Sequence, residues 1–93
     1  MPQPSPESVA ACLTLSPLEA AILRHVGAGS TNGAIAKKLG KSQTAVVAAV
    51  SRIRVKIADR FPNADPPSRV ELAMIAYAIH QSRQPAVQQQ TVG

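Results

Sequence analysis

A chain of 93 residues allows one small domain with a single modest core. Hydrophobic residues make up 45% of it and aromatics only 2%, so aliphatic side chains and alanine must fill that core, which favours closely packed helices. A formal net charge of +5 points to an anionic partner, the single cysteine excludes an internal disulfide or a four-thiolate metal site, and no apolar run approaches membrane-spanning length.

Residues 1–8, MPQPSPES, hold three prolines and no apolar periodicity beyond Met1, and read as a disordered lead-in. No charged segment followed by an apolar run occurs there, so no secretory leader is expected and a cytoplasmic setting fits. The apolar run Val9 to Leu13 is suited to packing across the first helix, with no signal that decides whether it is itself helical. Cys12 reads as a small packed hydrophobe. Ser16-Pro17-Leu18-Glu19 is a helix start: a capping hydroxyl, a proline at the first helical position, and a glutamate placed to close a capping box. Leu15 stands where it can staple onto that helix. Leu18, Ile22 and Val26, with Leu23 beside them, keep helical spacing until Gly27 and Gly29 stop it.

Asn32 to Ala58 is the stretch that organises the chain, and it reads as two helices joined by a tight turn, a helix-turn-helix. Thr31 caps the first of these helices, which runs through Ile35, Ala36 and Leu39. Ala36 is small enough for a close crossing, Gly40 supplies the left-handed turn, and Val46 plugs the crossing from below. Ser42 caps the second, in which Val46, Val50, Ile53 and Ile57 form a narrow stripe for burial. Its opposite face carries Thr44, Ala48, Ser51, Arg52 and Val55. Seven of the ten basic residues, Lys37, Lys38, Lys41, Arg52, Arg54, Lys56 and Arg60, lie in or just beyond this stretch, opposed there only by Asp59. That clustering is what a nucleic-acid footprint requires.

Three prolines in residues 61–67 make a loop. Ser68-Arg69-Val70-Glu71 repeats the capping-box pattern and opens a last helix to about Ser82. That helix has two apolar faces: Leu72, Ile75, Ala76 and Ile79 on one side, Val70, Met74 and Tyr77 on the other. The second face implies either enclosure by other parts of the chain or a partner helix. A polar tail follows. The expected organisation is a lead-in at 1–13, a domain at 14–82 and a disordered tail at 83–93.

With the helices placed, the chain from Leu15 to about Ala78 resembles the LuxR/GerE-type DNA-binding domain. The matching pieces are Leu15-Ser16-Pro17 with Glu19, Ile22-Leu23-Arg24, Gly29-Ser30-Thr31-Asn32 and Ile35-Ala36. Leu39-Gly40 with Ser42, Val46, Ile53, Lys56-Ile57 and Ser68-Arg69-Val70-Glu71-Leu72 continue the match. The resemblance implies an all-α, four-helix fold without a wing, whose third helix reads DNA and whose fourth dimerises. It also implies a transcriptional regulator, here expected to stand alone without a receiver or ligand-sensing domain. The chain departs from the family at the reading helix. Ala45, Val47 and Ala49 stand where the family usually carries Thr, Lys and often His, and Ala34 replaces an acid. The loop before Ser68 is longer than the family norm.

The DNA-facing set is therefore Thr31, Asn32, Lys41, Ser42, Gln43, Thr44, Val47, Ala48, Ser51, Arg52, Arg54 and Lys56. Lys41, Arg52, Arg54 and Lys56 are expected at phosphates, Gln43 at adenine, and Val47 and Ala48 at thymine methyls. Val70, Met74 and Tyr77 are expected at a homodimer interface. The alternative is a module that keeps the fold and binds another transcription regulator, or RNA polymerase, through Val47, Ala48 and Val55. His25 and His80 are isolated, no carboxylate, nucleophile and base converge, and neither enzyme, cofactor nor metal is expected.

Overall fold

The five helices among the described residues arise from five local starts and one shared core. In the computed structural model, which describes residues 4–83 with side chains to Gln81, the chain runs α1 (Pro6–Cys12), α2 (Pro17–Gly27), α3 (Asn32–Leu39), α4 (Gln43–Arg60) and α5 (Arg69–Arg83). The all-α expectation is met. The count of four is corrected to five, because Pro6 opens a helix inside what was read as a disordered lead-in. Ser5 caps α1, its Oγ accepting from the Ser8 N–H at 3.1 Å. Ser5-Pro6 is the same start signal as Ser16-Pro17. Seven residues are too few for a helix to persist alone, and α1 persists by packing on α5 with Val9 buried. The polar tail expected at 83–93 lies outside the described residues apart from Arg83, which still belongs to α5.

The later caps follow the sequence closely. Ser16 and Glu19 close a full capping box on α2, and Ser68 and Glu71 exchange the same pair of bonds, at 2.9 and 3.2 Å, at the start of α5. Thr31 and Ser42 cap α3 and α4 through their hydroxyls. Gly40 ends α3 at φ +65°, and the Lys41 N–H donates back to the Ala36 carbonyl at 2.9 Å, so the last carbonyls are satisfied within the turn. Gly29, at φ +86°, ends α2 in the same way, with the Ser30 N–H on the His25 carbonyl.

Gly27, expected from the sequence to share in that stop, does not. It is the last residue of α2, and a Cβ there would stand 2.8 Å from the Ala76 Cβ of α5. Glycine is required by the closeness of two helices, not by a turn.

The core joins all five helices. Val9, Ile22, Leu23, Val26, Ile35, Ala36, Val46, Ala49, Val50, Ile53, Ile57, Leu72 and Ile75 form one buried cluster. The expected stripe of α4 is buried as read, widened by Ala49. A methyl at that position lets α4 lie close against its neighbours, as Ala36 does from α3. α3 packs on α4, both rest on α2, and α5 spans α1 and α2. Three long-range hydrogen bonds fix the end of the 61–68 connection that leads into α5. Arg54 Nε donates to the Pro67 carbonyl at 3.0 Å. Arg69 donates to Asn32 Oδ1 at 2.9 Å and to the Ser30 carbonyl at 2.7 Å, tying the start of α5 to the start of α3.

The contact at Gly27 yields a test. Gly27→Val should destabilise the domain by about 1–3 kcal/mol through overpacking against α5. An exposed control, Ala28→Val, lies outside the helix contact and should change much less. Chemical denaturation of both variants measures the difference.

Candidate nucleic-acid interface

The outer face of α4 and the turn before it form the one basic, solvent-facing surface that the sequence singles out, and the fold presents it as a unit. Because Val46, Ala49, Val50, Ile53 and Ile57 point inward, the opposite arc of α4 points out. Lys41, Ser42, Gln43, Thr44, Val47, Ala48, Ser51 and Arg52 are all exposed. Lys37 and Lys38, on the last turn of α3, are exposed beside them. Thr31 is exposed at the start of α3, where the helix presents its first N–H groups. The Gln43 amide oxygen lies over the first turn of α3, 3.7 Å from where a Cβ on Gly33 would be, an ordinary contact distance.

Three of the expected contact residues stand differently. Lys56, read as a phosphate ligand, turns inward: its Nζ donates to Glu19 Oε1 at 2.5 Å and to the Thr14 carbonyl at 3.0 Å. The cause is Glu19, a buried carboxylate that needs a cation beside it. Asn32 has its side-chain oxygen engaged by Arg69. Arg54 has its Nε on the Pro67 carbonyl and flanks the face instead of lying in it.

Glu19 is the residue whose role the sequence shows only in part. Capping α2 is one half of it. Oε1 accepts from the Ser16 N–H at 3.0 Å as well as from Lys56, and Oε2 lies 3.5 Å from Arg52 Nε. The Lys56 hydrogen bond is the largest influence on its acidity and lowers its pKa below the ordinary 4.5. Burial pulls the other way, and the Ser16 N–H adds to the lowering. Arg52 is more than half exposed, so its guanidinium reaches Glu19 with one edge while facing solvent. The signal in the sequence is Glu19 itself: a cap glutamate that is the one acid of α2, with a lysine on the inward side of the packing helix.

No groove in the described residues gathers catalytic groups. A groove of about 260 Å³ between α1, α2 and α5 is lined by apolar side chains with Arg24 and His80 at its edge. No group of three or more His, Cys, Asp or Glu that could hold a metal occurs among the described residues, and no helix there is long and apolar enough to cross a membrane. On α5, Val70, Met74 and Tyr77 are 71%, 50% and 64% exposed, so α1 and the 61–67 loop leave this apolar face open. No protein-family model, no curated protein and no solved structure matches this chain.

The Glu19 network predicts a pH dependence with a definite sign. A carboxyl whose pKa is lowered by folding contributes stability above its unfolded pKa, near 4.5, and loses it as pH falls through the lower folded value. Glu19→Gln should therefore cost about 1–3 kcal/mol near neutral pH. The gap between variant and wild type should narrow as pH falls below 4.5 and through the lower folded value. Thermal melts from pH 7 to pH 3 follow both.

Proposed function

We propose that this protein is a sequence-specific, double-stranded-DNA-binding transcription regulator with a helix-turn-helix of LuxR/GerE type. In this reading α3 and α4 are the two helices of the motif, α4 enters the major groove, and α5 pairs two protomers. The observation that carries it is the exposed outer face of α4, set directly after the Gly40 turn and bordered by Lys37, Lys38 and Lys41. Uninterrupted positive charge supports it further, since no carboxylate occurs between Glu19 and Asp59.

Roles divide by position. Lys37, Lys38, Lys41 and Arg52 meet phosphates, helped by Thr31 and Ser42 at helix starts, where backbone N–H groups favour anions. Gln43, Thr44, Val47, Ala48 and Ser51 meet base edges. Lys56 is not among the phosphate ligands, because Glu19 holds it. Arg54 and Asn32 serve the frame. Val70, Met74 and Tyr77 supply a symmetric contact, and pairing two α5 helices would set two α4 helices about 34 Å apart, one turn of duplex.

A second reading has one observation in its favour. Val47 and Val55 are 46% and 58% exposed on the same face, which suits a module that binds another transcription regulator or RNA polymerase instead of DNA. Duplex binding separates the two. With Lys37, Lys38, Lys41 and Arg52 at phosphates in each protomer, the logarithm of the DNA association constant should fall with the logarithm of salt at a slope of about −3.6 per protomer. Lys41→Ala should flatten that slope by about 0.9 with no change in sequence preference or melting temperature. Lys56→Ala should do the opposite, lowering the melting temperature first. A salt-independent response, or none, favours the protein-binding module.

The dimer has its own measurement. Met74→Glu places a charge on the exposed face of α5, and sedimentation should find it folded and monomeric where wild type self-associates. If wild type is monomeric with and without DNA, α5 does not pair.

A further inference from the structure

We propose that α4 reads its site mainly through the C5-methyl groups of thymine, by apolar contact from Val47 and Ala48, and not through hydrogen bonds to base edges. This rests on the reading of α4 as the major-groove helix. At 100° per residue, Thr44, Val47, Ala48, Ser51, Val55 and Ala58 fall within about 100° of arc on α4. All six are exposed and none is charged. Arg52 borders this stripe on one side, at the margin where a groove-bound helix meets a phosphate backbone, and Arg54, held by the Pro67 carbonyl, flanks it on the other.

The stripe has little with which to read a base by hydrogen bonding. Thr44 and Ser51 each bring one hydroxyl. The bidentate fork that arginine offers guanine is missing from it, and Gln43, the one residue suited to adenine, stands at its edge beside Gly33. What the stripe does present is methyl groups at Thr44, Val47, Ala48, Val55 and Ala58. The major-groove edges of the four bases carry one apolar feature, the thymine methyl. Val47 and Val55 keep 46% and 58% of their surface open to water in the free protein, so contact with such methyls removes apolar area that the fold itself leaves uncovered.

Charge decides which occupant the stripe takes. Lys37, Lys38, Lys41 and Arg52 border it, and no acid lies between Glu19 and Asp59. A polyanion that also carries methyl groups in a groove as wide as a helix satisfies both requirements, and thymine-containing duplex DNA is that ligand.

The test begins by selecting a bound duplex from a random library with the full chain at fixed, low salt. The selected duplex is then remade with uracil replacing thymine, which deletes only the methyl groups. Fluorescence anisotropy should show a loss of about fourfold in affinity for each contacted methyl removed. Val47→Ser should shrink the thymine-to-uracil ratio while leaving the salt slope unchanged. Equal binding of the two duplexes, or a selected site without thymine, would overturn methyl readout and leave DNA binding intact. Failure to retain any duplex would overturn both.

Discussion

The carboxylate of Glu19 is buried, and a buried negative charge fixes the positions of everything that neutralises it. Its position is set first by the chain itself, as the third residue of α2 closing back on Ser16. Two residues one helical turn apart on α4 then come to it, Lys56 as a short hydrogen-bonded pair and Arg52 from the solvent side. The Lys56 ammonium also donates to Thr14, so the residues leading into α2 are bound to α4 as well. This network holds α4 in the rotation that burial of its apolar stripe requires. Once Lys56 faces Glu19, the Val46–Ile57 stripe is inward and the Thr44–Val55 stripe is outward, with no freedom to exchange them.

That rotation explains how charge is distributed on the surface. Arg60 stands exposed at the end of α4, and three further cations, Arg52, Arg54 and Lys56, lie along its second half. The fold divides these three: one faces Glu19, one anchors the loop before α5, and one reaches both the buried carboxylate and the solvent. The basic character left for a partner is therefore concentrated at the end of α3 and in the turn, ahead of an outer face that is mostly methyl groups. An electrostatic rim and an apolar centre is a different surface from the uniformly basic one that the raw count suggests.

Much of the fold was legible because its signals are local. Ser16, Thr31, Ser42 and Ser68 mark helix starts by side-chain chemistry that acts over three residues, and Gly40 marks an end by backbone conformation. The reading failed where the cause is tertiary. α1 carries the same Ser-Pro start as α2, yet its persistence depends on Val9 finding cover against α5. Gly27 looked like a stop because glycine usually is one, whereas the reason for it is Ala76, forty-nine residues later. Lys56 and Asn32 are exposed-type residues whose partners, Glu19 and Arg69, lie 37 positions away in both cases. The outer face of α4 was legible, because burying one stripe of a helix determines the other.

Arg69 binds Ser30 and Asn32 together, and the effect reaches further than the two bonds. α3 has eight residues, a length at which an isolated helix spends most of its time melted. It stays wound because its start is held by α5, its end by the Gly40 turn and its inner side by α4. Such an element has no stability of its own to lose separately. Loosening α5 would release the front of α3, and with it the support beneath the turn. Amide protons of α3 and of the first turns of α5 should consequently exchange in one cooperative opening, as a single unit of unfolding.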